Sequence, residues 1–127
     1  MGNRSLENII SATDKDYRNK LFRIEKAVSI LYASNCSHST AALDALFGIA
    51  TIHRDVLFIT VEIRDMKEPC ESIKAREIHD QAGVTEYPTF VAYKNFVMKD
   101  KIVSKNSSAR EQFRVLEKFI SSNFPTK

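Results

Sequence analysis

The most reactive side chain in this sequence is the thiol of Cys36, which lies within the segment 35–39 (NCSHS). An apolar run over residues 27–33 precedes this segment and is typical of a buried strand, whereas residues 40–52 have the apolar periodicity of a helix. Cys36 therefore lies at a strand-to-helix junction, where backbone N–H groups at the start of a helix stabilise a thiolate. It is a candidate nucleophile. His38 either faces solvent or, when protonated, adds a positive charge beside the thiol.

Composition favours one globular domain over residues 1–127, because the chain of 127 residues is 43% hydrophobic and 28% charged. The net charge is only +3, and basic and acidic residues are interleaved, so we expect no nucleic-acid partner. No apolar run approaches the length of about 18 residues that a membrane helix needs. The first residues also lack the apolar core of a signal peptide. We therefore expect a cytoplasmic monomer that does not associate with a membrane.

The two cysteines, Cys36 and Cys70, are too few for a disulfide scaffold and are expected to be reduced in the cytoplasm. Cys36 and His38 alone supply too few ligands for a metal ion, and Cys70, His53 and His79 have no spacing that suggests a further site. The sequence therefore predicts no metal and no cofactor.

The order of predicted elements is β-α-β-α-β-α-β-β-α, which indicates an α/β fold with a mixed sheet and helices on both faces. The expected strands cover residues 7–11, 27–33, 56–63, 90–93 and part of 97–104, with a kink at Lys99 and Asp100. The expected helices cover 14–24, 40–52 and 70–82, and a closing helix is capped by Ser107 or Ser108. Its apolar stripe contains Phe113, Leu116, Phe119 and Ile120.

This element order, with Cys36 after the first central strand and Tyr87-Pro88-Thr89 at the start of the hairpin, resembles the thioredoxin fold. The resemblance extends from about residue 7 to residue 124. It implies that Pro88 is the cis proline that lies beside the active-site cysteine in that family. It also implies that Asn35, Tyr87 and Pro88 contact an extended client peptide, which would pair with the backbone as an added strand.

The segment departs from the usual Trp-Cys-x-x-Cys motif of the family at two positions. Asn35 stands where the tryptophan is usual, and Ser39 stands where the second cysteine is usual. Cys-Ser-His-Ser therefore most resembles a monothiol version of the Cys-Gly-His-Cys motif of protein disulfide isomerases. The family's buried aspartate corresponds to Ile30, and its partner lysine corresponds to Thr60 or a neighbour.

Three functional hypotheses follow from the resemblance. Cys36, assisted by His38, can attack a disulfide, but the hydroxyl of Ser39 cannot resolve the mixed disulfide that results. An external thiol such as glutathione would then resolve it, which gives weak monothiol exchange with protein disulfide or thiol clients. Alternatively, the groove beside Cys36 and Pro88 binds proteins without turnover.

In the third hypothesis Cys70 is a distant resolving thiol, because it follows a parallel strand that ends at the same edge of the sheet as Cys36. Its acidic neighbours, Glu68 and Glu71, disfavour a thiolate there and make a plain helix-start cysteine the competing interpretation. An iron–sulfur cluster held by glutathione, as in monothiol glutaredoxins, is a minor alternative, because no glutathione-binding residues are recognisable.

Overall fold

The protein contains a five-stranded sheet and two long helices, as shown by a computed structural model that describes residues 7–12, 25–33, 37–62, 88–95 and 97–125. The strands are β1 (Ile9–Ala12), β2 (Lys26–Tyr32), β3 (Leu57–Glu62), β4 (Thr89–Lys94) and β5 (Val97–Val103). The helices are α1 (Ser37–Ile52) and α2 (Ala109–Asn123). The helices predicted over 14–24 and 70–82 lie outside the described residues.

The sheet is mixed, as the sequence predicts. Its strand order is β1-β3-β2-β4-β5, in which β1, β3 and β2 are parallel and β4 and β5 are antiparallel to their neighbours. Strand β2 lies at the centre, where Val28 is paired with Phe58 on one side and with Ala92 on the other. A strand that is buried on both faces is mostly apolar, which explains the sequence of β2 apart from Lys26 at its start and the buried Ser29.

The two described helices pack against each other on one face of the sheet. Alternate residues of the central strands, such as Ile30, Phe58 and Phe90, are fully buried beneath them, because successive side chains of a strand point to opposite faces. Burying each of these side chains contributes about 1.5–3 kcal/mol of hydrophobic free energy. On the opposite face Ile59 and Val91 are equally buried, so both faces of the sheet are covered.

Helix α2 begins at a well-formed N-cap. The Oγ atom of Ser108 accepts a hydrogen bond of 3.3 Å from the backbone N–H of Glu111, which satisfies one of the free N–H groups of the first turn. The carboxylate of Glu111 also complements the positive end of the helix dipole. Of the two serines predicted as caps, Ser108 is therefore the one used.

The carboxyl-terminal end of α1 is hydrogen-bonded to Asn8, which directly precedes β1, and the residue after α1 is bonded to α2. The Nδ2 atom of Asn8 donates to the backbone oxygens of Ala50, His53 and Val56 at 3.0–3.2 Å. The Nε2 atom of His53 lies 2.7 Å from Oε1 of Glu117 on α2. These contacts fix the direction of α1 and therefore the place at which its first turn meets the sheet.

The hairpin from β4 to β5 has an irregular edge. Asn95 has a φ of 52°, a left-handed conformation that asparagine tolerates better than most residues. Ala92 pairs with Asp100 and Tyr93 with Met98, so Lys99 is the extra residue of a β-bulge. The kink predicted at Lys99 and Asp100 is therefore present. All residues of β5 are exposed, and this strand lies at the edge of the sheet.

We expect the ion pair between Lys26 and Asp55 to make stability depend weakly on pH. The Nζ–Oδ2 distance is 2.9 Å, and the hydrogen bond from Lys26 lowers the pKa of Asp55 below its usual 3.8. A lowered pKa stabilises the fold above the normal pKa of the group, and this stability is lost as the pH falls through the lowered value.

Because the Asp55 carboxylate is 62% exposed, solvent screens the pair, and Lys26→Met should cost about 0.5 kcal/mol or less at neutral pH. Urea unfolding at neutral pH and at about pH 2.5 measures this difference, which should be smaller in acid because more of Asp55 is protonated there. Lys94→Met, on the strand position opposite Lys26, is the matched control. An equal loss for Lys26→Met at both pH values would contradict the assignment.

Candidate active site

Three of the predicted site residues, His38, Ser39 and Pro88, lie near the carboxyl end of β2. Helix α1 begins at Ser37, soon after β2 ends at Tyr32. The β2–β4 ladder ends with Leu31 opposite Thr89, so Pro88 lies one residue beyond the last pair, at the same edge of the sheet. The structure therefore brings the start of α1, which includes His38 and Ser39, to the same region as Pro88. The other predicted site residues, Asn35, Cys36, Cys70 and Tyr87, lie outside the described residues.

Ser39 is an interior residue that closes the connection from β2 to α1. Its side chain is buried, with 1% of the residue exposed, and its Oγ atom accepts a hydrogen bond of 3.1 Å from the backbone N–H of Ala33. This bond joins the residue that follows β2 to the first turn of α1. The hydroxyl at the position of the family's second thiol therefore has a structural partner.

His38 is half-buried in the first turn of α1, so it does not simply face solvent. Its backbone oxygen accepts a hydrogen bond of 3.2 Å from Nε2 of Gln112 on α2. The Nδ1 atom of its ring is buried and has no hydrogen-bond partner within the part of the chain that the structure describes. The imidazole thus places a polar nitrogen at this end of the molecule.

Gln112 is the centre of a buried hydrogen-bond network at the site and is itself fully buried. Besides the bond to His38, its Nε2 atom lies 2.9 Å from the backbone oxygen of Ser104 and 2.9 Å from that of Asn106. Its Oε1 atom accepts a bond of 2.6 Å from the Oγ atom of Ser104. The backbone N–H of Ser104 in turn donates to the oxygen of Pro88 at 3.2 Å. The network therefore connects α1, α2 and the start of β4.

The sequence interpretation did not include Gln112 among the site residues. A signal was present, because Gln112, Leu116, Ile120 and Asn123 follow helical spacing along the buried side of α2. A polar side chain on a buried stripe needs hydrogen-bond partners, and an amide that supplies both a donor and an acceptor is well suited to joining elements.

Ile30 lies in a wholly apolar environment, fully buried in the core cluster. Its ladder partners are Thr60 on β3 and Phe90 on β4. The hydroxyl of Thr60 donates to the backbone oxygen of Ile10 at 3.4 Å and so bonds towards β1. The position that corresponds to the family's buried aspartate therefore has no group that can accept a proton from a thiol.

Two further properties concern only the described residues. Among them, no three side chains of His, Cys, Asp or Glu are grouped in a way that could hold a metal ion. Neither α1 nor α2 is both long enough and apolar enough to cross a membrane.

Comparison with known proteins gives structural relatives only. No protein-family model matches the chain, and no curated protein matches its sequence. A chain from a study of how yeast mitochondrial 1-Cys peroxiredoxin is resolved by the glutathione and thioredoxin systems is 25% identical, with a TM-score of 0.69 over 94% of this chain and 99% of that one.

Two thioredoxins have a similar structure. Mitochondrial thioredoxin 3 of Saccharomyces cerevisiae is 23% identical, with a TM-score of 0.67 over 90% of this chain and 94% of that one. Thioredoxin f2 of Chlamydomonas reinhardtii is 16% identical, with a TM-score of 0.72 over 94% and 99%. The mixed sheet, its strand order and these structural relatives together show that the chain has the thioredoxin fold.

Proposed function

We propose that the protein carries out thiol–disulfide exchange with Cys36 as its single reactive thiol. The Cys36 thiolate attacks one sulfur of a client disulfide, the client S–S bond breaks, and the departing client thiolate takes a proton from water. An external thiolate of the glutathione class then attacks the client sulfur of the mixed disulfide, forms a disulfide with the client and releases the Cys36 thiolate. The two steps exchange disulfides without a net oxidant, and no second protein thiol is needed.

The observation that carries this proposal is the environment of Ser39. In a thioredoxin-like frame this is the position of the resolving thiol, but here it holds a buried hydroxyl that is already bonded to the N–H of Ala33. A hydroxyl is not a competent nucleophile towards sulfur. Resolution from this position is therefore excluded, whereas the first attack by Cys36 remains chemically possible.

Two features support reactivity at Cys36. The residue immediately precedes α1, a helix of 16 residues whose first N–H groups favour a negative charge at its start. One structural relative comes from a study of thiol resolution by the glutathione and thioredoxin systems, which is the class of chemistry proposed here.

The proposal predicts that Cys36→Ser abolishes covalent reaction with oxidised glutathione, whereas Cys70→Ser leaves it intact. Intact-mass analysis after incubation at neutral pH detects the glutathione adduct. Titration of the thiolate by ultraviolet absorbance, with Cys36→Ser as the blank, should place the thiol pKa below that of free cysteine, about 8.5. A pKa at or above that value, or an adduct that survives in Cys36→Ser, would refute the proposal.

The second candidate function is a binding module that uses the groove beside Cys36 and Pro88 without turnover. The apolar surroundings of Ile30 favour it, because a proton carrier is missing where the family usually has one. A client-trapping experiment distinguishes the two functions. Under exchange chemistry, clients are captured as mixed disulfides by wild type and lost with Cys36→Ser; under simple binding, both proteins capture the same clients without a covalent bond.

The role of Cys70 is decided by peptide mapping of the oxidised protein. A Cys36–Cys70 disulfide would make Cys70 the resolving thiol and would replace the external thiol in the proposed sequence. If this disulfide is absent and Cys70→Ser still forms a stable adduct with glutathione, the external thiol is the group that resolves the mixed disulfide.

A further inference from the structure

We propose that Gln112 is the positioning residue of the thiol site: its amide connects the first turn of α1, which follows Cys36 in the sequence, to Pro88, and it polarises the His38–Ser39 peptide group of that turn. The inference rests on the proposed function, because it concerns how that thiol is held. It begins from three carbonyl groups that converge on one buried nitrogen.

The donor capacity of this nitrogen is fully used. The oxygens of Ser104 and Asn106 lie 2.9 Å from Nε2 of Gln112, and that of His38 lies at 3.2 Å. An amide NH₂ has only two hydrogens, so three acceptors must share them. Because Gln112 is fully buried, water is a poor substitute, and loss of the amide removes this donor from the carbonyls of Ser104 and Asn106 and leaves that of His38 with only its bond within the helix.

The same amide reaches Pro88 through one intermediate residue. The hydroxyl of Ser104 donates to Oε1 of Gln112 at 2.6 Å, and the backbone N–H of Ser104 donates to the oxygen of Pro88 at 3.2 Å. The hydroxyl of Ser104 also accepts from Nδ2 of Asn106 at 3.0 Å. The described chain thus contains a continuous hydrogen-bonded path from the first turn of α1 to Pro88, the residue that directly precedes β4.

The first turn of α1 is held from two directions. Ser39 connects it to Ala33 at the end of β2, and Gln112 connects His38 to α2 and to residues 104–106. The Ser39 bond fixes the distance from β2, and the Gln112 bond fixes the orientation towards the Pro88 side. Removing only the second should therefore let the turn rotate while the fold persists.

An electrostatic effect accompanies this anchoring. Because α1 begins at Ser37, the N–H groups of its first three residues lie at the positive end of the helix dipole and favour a negative charge at the start of the helix. The third is Ser39, whose N–H belongs to the same peptide group as the carbonyl of His38. A donor on that carbonyl strengthens the N–H at the other end, since hydrogen bonds in a chain polarise one another.

Gln112→Met tests the proposal, because methionine keeps the length of the side chain and removes its polar groups. We expect the Cys36 thiol pKa to rise by roughly half a unit and its glutathionylation rate at neutral pH to fall roughly threefold. Amide hydrogen exchange at Ser39 should become faster. Ser104→Ala, which removes one bond to Gln112 and is a milder change, should shift all three measurements in the same direction by less.

Asn123→Leu is the matched control. Asn123 is a second buried amide on α2, and its Nδ2 atom donates to the oxygen of Phe119 at 2.9 Å and to Asp100 at 3.3 Å, at the other end of the helix. The Asn123→Leu variant should have a lower melting temperature but a wild-type thiol pKa and a wild-type rate of adduct formation. The positioning role is overturned if Asn123→Leu changes the pKa and the rate as much as Gln112→Met does. It is also overturned if Gln112→Met changes neither the pKa nor the rate.

The two proposals fail in different ways. If wild-type Cys36 forms no glutathione adduct, the proposed thiol–disulfide exchange function is refuted. The rate of amide hydrogen exchange at Ser39 then decides by itself whether Gln112 has a positioning role. Selective acceleration at Ser39 in Gln112→Met, absent from Asn123→Leu, supports it. Equal acceleration in the two variants overturns it.

Discussion

Ile30→Asp is expected to lower the free energy of unfolding by about 4 kcal/mol at neutral pH, the largest stability loss among the changes considered. The side chain at this position is fully buried within an apolar cluster, so the carboxylate would be desolvated without a cation or donor from that cluster. Burial would raise the pKa of the new aspartate. The pH-dependent part of its destabilising effect should therefore begin above the unfolded pKa of about 3.9 and increase as the pH rises to the raised value.

Urea unfolding at acid and neutral pH measures this effect, with Ile30→Ala as the control that removes volume without adding charge. Ile30→Ala should lose about 3 kcal/mol at both pH values. If the two variants lose the same stability throughout, the apolar environment of Ile30 does not exclude a carboxylate. If the free energy of unfolding falls with rising pH for Ile30→Asp but not for Ile30→Ala, a carboxylate at this position is not tolerated by the surrounding core. A proton-accepting residue could then be introduced here only together with changes to its apolar neighbours.

The central strands are the part of the fold that the sequence predicts best. Predicted strands over 27–33 and 56–63 differ by one residue at each end from β2 and β3, because side chains buried on both faces leave a continuous apolar run. Helix α1 begins at Ser37, earlier than the predicted residue 40, since its first turn is polar and adds nothing to the apolar period.

The arrangement of the site is harder to predict from sequence, and the reason is physical. The sequence identifies Ser39 as a substituted thiol position, but only the structure shows that its hydroxyl bonds to Ala33. The network of Gln112 joins residues as far apart as His38 and Ser104, and no local pattern encodes such a contact. Periodicity predicts which side of a helix is buried, but it does not reveal the partners of a polar group there.

Ser39→Cys is expected to give the protein dithiol activity. The new thiol would lie in the first turn of α1, three residues after Cys36 in the sequence, which is the spacing of the two cysteines in a Cys-x-x-Cys motif. We therefore expect a disulfide to form between them. Insulin reduction in the presence of dithiothreitol should rise from background to a measurable rate, which remains slow because Ile30 offers no proton acceptor.

The same change should cost about 1 kcal/mol of stability, since sulfur is a weaker acceptor than oxygen for the N–H of Ala33. Ser37→Cys is the control, because it adds a thiol at an exposed position directly beside Cys36 and should not create turnover. Oxidation of Ser39→Cys only between molecules, with no internal disulfide, would show that the junction does not have thioredoxin geometry.

The exposed edge strand β5 has a consequence for the behaviour of the protein in concentrated solution. Its apolar residues Val97, Met98, Ile102 and Val103 lie at its two ends and would suit pairing with the edge of another sheet. Charged residues occupy the middle of the strand, and the bulge at Lys99 interrupts the regular ladder there. Both features oppose edge-to-edge aggregation. We therefore expect that removing the charges at the centre of β5 would lower the concentration at which neighbouring molecules begin to join their sheets.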